Sequence, residues 1–411
     1  MVIATPGLIL KREWYLCMIK RLFSVKNLVY IAILVVSAAF VFFGAIIAQR
    51  GMVDYDIDAF SVYSARVVEI ISRDEDVQDL GWGYFSSVRL VFRAKLTSGD
   101  SRGGVVYGEF VNNDALLDIY IREPAVGDNI LLVHHDFIDT YFFMDYQRIN
   151  YIVIFGVIFF VLIVLFGRKK GFSSIIALGL TCFAIFLILV PAILSGANIY
   201  FMAILVSAYA IVSTLLIVIG LERKALPAIL GCLGGVIFAG VLMIVMDNIV
   251  HLTGLVDSDS FALINIPTPE PIDLRAIIFA GVVIGSTGAI MDVTMSISSS
   301  LWEVRKASEA IGFSELFKSG IEIGKDILGT MLNTLVLAYI GSSLAMILLL
   351  VAQAAQPLEI FNMEIIIVEF LRALLGGFGM LLAVPLTAVV SGWFYAKKVK
   401  TSEQADGQVN D

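Results

Sequence analysis

Cysteine is scarce in this chain. Cys17, Cys182 and Cys232 are too few and too scattered for a disulfide framework, and no CxxC or Cys/His cluster occurs. Charge is scarce too. Only 16% of the residues are Asp, Glu, Lys or Arg, against about a quarter in an ordinary soluble domain. No GxSxG, HExxH, P-loop or dinucleotide fingerprint appears, so neither an enzyme of those classes nor a bound cofactor or metal is expected. No basic patch interleaved with aromatics appears either, which excludes nucleic acid as a partner. Apolar residues fill the space instead. They make up 59% of the chain, mean hydropathy is +0.91, and the first partner is therefore the lipid bilayer.

In chain order, residues 1–25 form an N-terminal segment in which Leu10, Trp14, Met18 and Leu22 share one helical face among cations. Residues 26–49 are too long and apolar for a signal peptide and predict a transmembrane anchor. Residues 50–148 change character. They hold nine Lys or Arg against seventeen Asp or Glu, which accounts for the whole net charge of -8. Within them, Val88, Leu90, Phe92, Ala94 and Leu96 alternate with Arg89, Arg93 and Lys95, the period of a half-buried strand. Gly99-Asp100 and Gly103-Gly104 lead into Val105–Val111, Gly127-Asp128 into Asn129–Val133, and Thr140–Tyr146 is aromatic-rich. A small β domain follows, a partly closed barrel or a sandwich. His134, His135 and Asp136 do not predict a metal site, because neighbouring strand residues point to opposite faces. The acidic runs 54–58 and 74–76 lack the glycine and closing glutamate of a calcium loop.

Seven further apolar stretches follow near 149–167, 172–194, 199–220, 226–246, 274–300, 327–351 and 364–395. Each can cross a core about 30 Å thick. The fold expected is an α-helical polytopic membrane protein of about eight transmembrane helices. The β domain is inserted between helices 1 and 2, residues 149–396 form a seven-helix membrane domain, and 397–411 form a tail. Cations sit before the first stretch and in alternate later loops, at Arg168-Lys169-Lys170, Arg223-Lys224, Arg305 to Lys325, and Lys397, Lys398 and Lys400. The intervening loops near 195–198, 247–273 and 352–363 contain no Lys or Arg. Positive residues stay inside, so both termini are expected to be cytoplasmic and residues 50–148 extracytoplasmic. Phe313, Leu316, Phe317 and Ile321 share a helical face and predict a helix along the inner leaflet. His251 is read as structural.

The sixth stretch carries an ionisable residue at membrane depth. Gly281, Gly285, Gly288, Asp292, Ser296 and Ser299 recur at steps of three or four and form one small, polar face. Asp326, Thr330, Asn333, Leu337 and Gly341 do likewise in the seventh stretch. Glu369, Arg372, Gly376, Gly379 and Ala383 do so in the eighth, with Pro385 expected to kink the helix beyond. Counting about 1.5 Å per residue puts Asp292 about 20 Å above Arg305, and Arg372 about 12 Å below Glu364. Both then lie near mid-membrane, which predicts an Asp292–Arg372 contact, with Glu369 as competing partner and Asn333 nearby.

The stretches GAIMDVTMSISSSLWE (288–303) and DILGTMLNTLVLAY (326–339), and the pattern E-x-x-R-x-L-x-G-x-x-G-x-x-L-A-V-P-L-T from Glu369 to Thr387, resemble the signature regions of the YibE/F family. The resemblance spans roughly residues 150–395 and extends weakly into Phe143–Arg148. It implies a multi-pass protein of the bacterial cytoplasmic membrane and draws attention to Met291, Asp292, Met295, Ser296, Asn333, Glu369 and Arg372. It names no substrate. The residues themselves point to a transport or permeation protein for a small molecule or ion. Its polar midplane site would be formed by helices 6, 7 and 8 from Asp292, Ser296, Thr330, Asn333, Glu369 and Arg372, with Gly281, Gly285, Gly288, Gly376, Gly379 and Pro385 shaping helix contacts. The alternative is a non-transporting envelope component whose β domain binds a protein partner and whose helices anchor or signal.

Overall fold

The computed structural model describes residues 25–53, 61–79, 84–99, 101–112, 122–135, 138–308, 310–352 and 356–396. The amphipathic face expected within 8–23, the acidic run 54–58 and the tail 397–411 with its lysines lie outside the described residues. The chain divides into two compact units, residues 54–165, and residues 1–53 with 166–411.

The first unit is built on five strands, β1 (Ser61–Asp79), β2 (Tyr84–Leu96), β3 (Val105–Asn112), β4 (Asn129–His135) and β5 (Ile138–Tyr146). They close into a barrel in the order β1-β2-β3-β5-β4. Neighbours are antiparallel except β3 and β5, which are parallel. The alternation in β2 sorts as its period requires. Leu90, Phe92, Ala94 and Leu96 are buried, while Arg89, Arg93 and Lys95 are exposed. Ala65, Val67, Phe110, Ile130 and Leu132 complete the interior. A Cβ on Gly108 would lie 2.6 Å from the Phe92 ring, so only glycine lets β3 pass this close. Outside, Arg73 pairs with Glu123 at 2.9 Å, Arg89 with Glu109 at 2.5 Å, and Arg93 with Glu69. His134 lies against Tyr141 with ring centroids 4.6 Å apart.

The longest strand, β1, carries no simple alternation in the sequence. Its second half holds the acidic run Asp74-Glu75-Asp76, whose side chains are exposed while the backbone pairs with Arg89, Val88 and Ser87 of β2. Register shifts between Val67 and Glu69 and between Ile70 and Ser72 break the period that would have marked it.

Among the described residues, seven helices are long and apolar enough to cross a membrane. α1 (Val25–Gln49) precedes the strands, and α2 (Ile149–Ala184) follows them. α2 continues through a π-helical turn, Ile185–Leu189, into α3 (Val190–Leu194), giving one run of 46 residues. The two stretches expected at 149–167 and 172–194 are thus joined, with a backbone break at Arg168 (φ 49°, ψ -127°). Then come α4 (Ile199–Ile219), α5 (Ala225–Val250), the short α6 (Ser258–Ile264), α7 (Leu274–Ala307), α8 (Phe313–Ser342), the short α9 (Leu344–Ala352) and α10 (Pro357–Ile360), and α11 (Glu364–Tyr395).

The core of this unit is the meeting of α4, α5, α7 and α11, where Ile211, Leu215, Cys232, Val282, Ile290 and Met380 are fully enclosed. Small residues set the spacing. A Cβ on Gly235 of α5 would stand 2.7 Å from the carbonyl oxygen of Gly379 on α11, so the two backbones touch.

One expectation is corrected here. The segment Phe313–Ile321 is not a separate helix on the membrane surface but the first part of the 30-residue α8. Leu316 is buried, and Gly320 and Gly324 face Ala388 and Val384 of α11, so its apolar side is satisfied by protein. α11 includes Pro385 within its span, between buried Val384 and half-buried Leu386.

Candidate functional site

α7 starts where the Asp273 carboxylate accepts from the backbone N–H groups of Arg275 (3.0 Å) and Ala276 (3.2 Å). It ends with the Arg305 guanidinium donating to the Tyr395 carbonyl at 2.7 Å. Between these anchors the helix has two faces. Ile278, Val282, Ile290, Val293, Ile297 and Leu301 are buried. The opposite stripe, Gly281, Gly285, Gly288, Asp292 and Ser296, is exposed. Nothing lies within 4 Å of where a Cβ on Gly288 would be. The stripe is therefore open at Gly288. Asp292 makes no hydrogen bond or ion pair with the described residues.

Arg372 is held by Glu369 one turn earlier on α11, and both side chains are partly buried. The predicted Asp292–Arg372 contact does not form. The Arg372 Nε lies 4.0 Å from the Cβ position of Gly281, eleven residues before Asp292, or about 16 Å along the helix. The depth count failed because α7 is 34 residues long. At about 51 Å it exceeds the 30 Å core, so counting inward from opposite ends of different helices does not give a shared level. Arg372 instead stands near the loop after α5. There the Asp257 carboxyl lies below the usual carboxylate range, held first by the Ser260 backbone N–H and hydroxyl, with the Arg372 guanidinium adding to them.

One turn along from Gly281, the Tyr339 hydroxyl of α8 sits 2.8 Å from the Cβ position of Gly285. Glu369, Arg372 and Tyr339 thus flank the N-terminal half of the α7 stripe. Tyr339 ends the quoted stretch 326–339 but was not singled out, because a lone tyrosine in an apolar run reads as packing. Thr330 and Asn333 are exposed on α8, on the side away from the Leu332 and Leu335 contacts with α11. Gly376 and Gly379 are buried against Leu335 and Ile290. A cavity of about 490 Å³ between Leu216, Arg223, Ile229 and Phe394 touches none of these residues.

Long apolar helices around a close-packed core, with ionisable groups well inside two of them, define a multi-pass membrane protein. Residues 155–397 match the family described as YibE/F-like protein, and the chain belongs to that family. Comparison with curated proteins and with solved structures gives no match.

Proposed function

We propose that this protein is a transport or permeation protein of the bacterial cytoplasmic membrane whose pathway follows the open stripe of α7. One observation carries the reading: Asp292, about 27 Å into an apolar helix, lies on the exposed stripe with no hydrogen bond or ion pair among the described residues. A carboxylate facing hydrocarbon costs several kcal/mol, so on this reading water or a permeant covers that stripe. Ser296 extends the stripe one turn further, and the Glu369–Arg372 pair with Tyr339 forms its other polar end. Thr330 and Asn333 of α8 extend the polar surface beyond it.

The topology proposed with this reading has eight crossings. A run of 46 residues is about 69 Å long, enough to cross twice if it turns at Arg168. The flanking cations Arg168, Lys169 and Lys170 then lie inside, with both termini, and the barrel lies outside. In proteoliposomes, Asp292→Asn and Arg372→Ala should abolish flux while membrane insertion stays intact. Unchanged flux in both variants refutes the pathway.

A second reading has one observation in its favour. Val105, Tyr107 and Val111 are exposed on one face of β3 with the Glu109–Arg89 pair between them, an apolar and charged surface that suits an envelope protein partner. On that reading, deleting the barrel abolishes activity and neutralising Asp292 with Arg372 is tolerated.

A further inference from the structure

Gly220 ends α4 with φ 83°, a backbone conformation that favours glycine, and the chain turns back through Leu221–Lys224 into α5. The Ser298 hydroxyl pins this connector by donating to the Lys224 carbonyl at 2.7 Å. Arg305 of the same helix bonds the Tyr395 carbonyl, so the connector lies at the end of the bundle where α7 and α11 finish. α1 starts at that end and runs antiparallel to α4. Val29 shares a groove with Leu216 and Leu221, while further along α1 Phe40 stacks on Tyr209 with ring centroids 4.4 Å apart.

Two mainly apolar hollows flank the end of α4. One, of about 400 Å³, follows the α1–α4 groove from Val29 to Phe40. That stretch of helix rises about 16 Å, the depth of one leaflet in a core about 30 Å thick. The other is the cavity of about 490 Å³ between α4, α5 and α11. Leu216 and Leu221 wall both, so the hollows stand on either side of one ridge. Positive charge gathers at their mouth. Arg223 lines the larger hollow, is exposed, and has no carboxylate within 4 Å among the described residues. Glu222 beside it is held by Lys224 at 3.3 Å, which leaves the connector one net positive charge. On the α1 side the hydroxyls of Tyr30 and Ser173 lie 2.9 Å apart, which brings exposed Lys169 and Lys170, one turn before Ser173, to the same end.

We propose that this end of the bundle is a binding site for one anionic phospholipid. Its phosphate meets Arg223, one acyl chain lies in the α1–α4 groove, and the other enters the cavity between α4, α5 and α11. Apolar grooves one leaflet deep beneath a cluster of cations match both halves of such a molecule. A soluble anion would leave the grooves empty, and a zwitterionic lipid would bring no net charge to the cations. No residue of the α7 stripe lines either hollow, so the site stands apart from the permeation reading.

The experiment uses the full chain, delipidated in detergent and titrated with dioleoyl phosphatidylglycerol or dioleoyl phosphatidylcholine. Bound lipid is counted by native mass spectrometry. The parent should bind the anionic lipid about tenfold more tightly than the zwitterionic one. A cation at the headgroup is worth about fivefold in that ratio, so Arg223→Gln should lower it to about twofold. Ala32→Phe, at an exposed position on the wall of the α1–α4 groove, should weaken both lipids alike and leave the ratio as it was. Equal affinities in the parent overturn the anionic site. An undiminished ratio in Arg223→Gln overturns the place of the phosphate, and an Ala32→Phe variant that binds both lipids like the parent overturns the place of the chain. The parent comparison needs no variant, so it decides the headgroup even where a substitution unfolds the chain.

Discussion

The same substitution, Gly→Ala, should have opposite signs at two positions in this bundle. At Gly235 the added Cβ would meet the Gly379 carbonyl oxygen at 2.7 Å, the Ala383 Cβ at 2.9 Å and the Ile290 Cγ2 at 3.0 Å. The first of these is backbone, and the second is a methyl carbon on a rigid stem. Neither can swing aside, so α5 and α11 must separate by several tenths of an ångström along their contact. Overpacking of this kind costs about 1–3 kcal/mol, and the helix-propensity gain of alanine over glycine returns about 1 kcal/mol at most. With a backbone oxygen in the clash the cost is at the upper end of that range, so the net effect is a loss of about 2 kcal/mol. At Gly288 nothing stands within 4 Å, so only the propensity acts and the variant should be neutral or stabilised by up to about 1 kcal/mol. Thermal unfolding of the detergent-solubilised protein, followed by helical circular dichroism, should place Gly235→Ala below and Gly288→Ala at or above the parent. A Gly235→Ala variant as stable as the parent refutes the close approach of α5 and α11. A strongly destabilised Gly288→Ala refutes the open space at Gly288.

Two other outcomes follow from the geometry. The Glu364 carboxylate at the start of α11 accepts from the Thr253 N–H (2.8 Å), the Thr253 hydroxyl (2.7 Å) and the Gly254 N–H (2.6 Å), and Gly254 holds φ 85° at that turn. Glu364→Ala should cost about 1–3 kcal/mol and raise amide hydrogen exchange at residues 252–255 before it alters the rest of the bundle. In the barrel, the Arg73 guanidinium beside Glu123 holds that carboxyl below its ordinary value of 4.5. Since the folded state has the lower pKa, the pair's contribution is complete above about pH 4.5 and fades as pH falls through the folded value. The pair is partly exposed, so its worth is under about 1 kcal/mol. Glu123→Gln should leave neutral stability nearly unchanged and flatten the acid limb of a pH–stability curve.

How far the residues could be read in advance depended on the range of the force involved. In β2, Phe92 is buried and Arg93 exposed because a period of two is a local consequence of the pleat, visible in any window of six residues. β1 escaped notice because its bulges shift the period, and because Asp74 to Asp76 are held by backbone pairing to a strand more than ten residues away. The Glu369–Arg372 pair was legible as one turn of one helix. The contact of Arg372 with Asp292 was argued from depth, and depth along a helix is set by where its ends are pinned. Those pins are the Asp273 cap, the Arg305–Tyr395 bond and the Glu364 clamp, each of which needs the folded chain to exist.

Composition and period alone therefore decided that this chain lives in a bilayer, which segments are helices, that a small β unit follows α1, and which side chains are too costly to be idle in hydrocarbon. Those are properties of short stretches meeting their solvent. The bundle alone decided which face of α7 is buried, that Phe313–Ile321 docks on α11 instead of lying on lipid, and that Asp292 stays on the exposed face while Arg372 turns to Glu369. Such choices are made by competition among partners distant in the chain, where a missing Cβ at Gly235 or Gly324 determines which helices come close enough to cover one another.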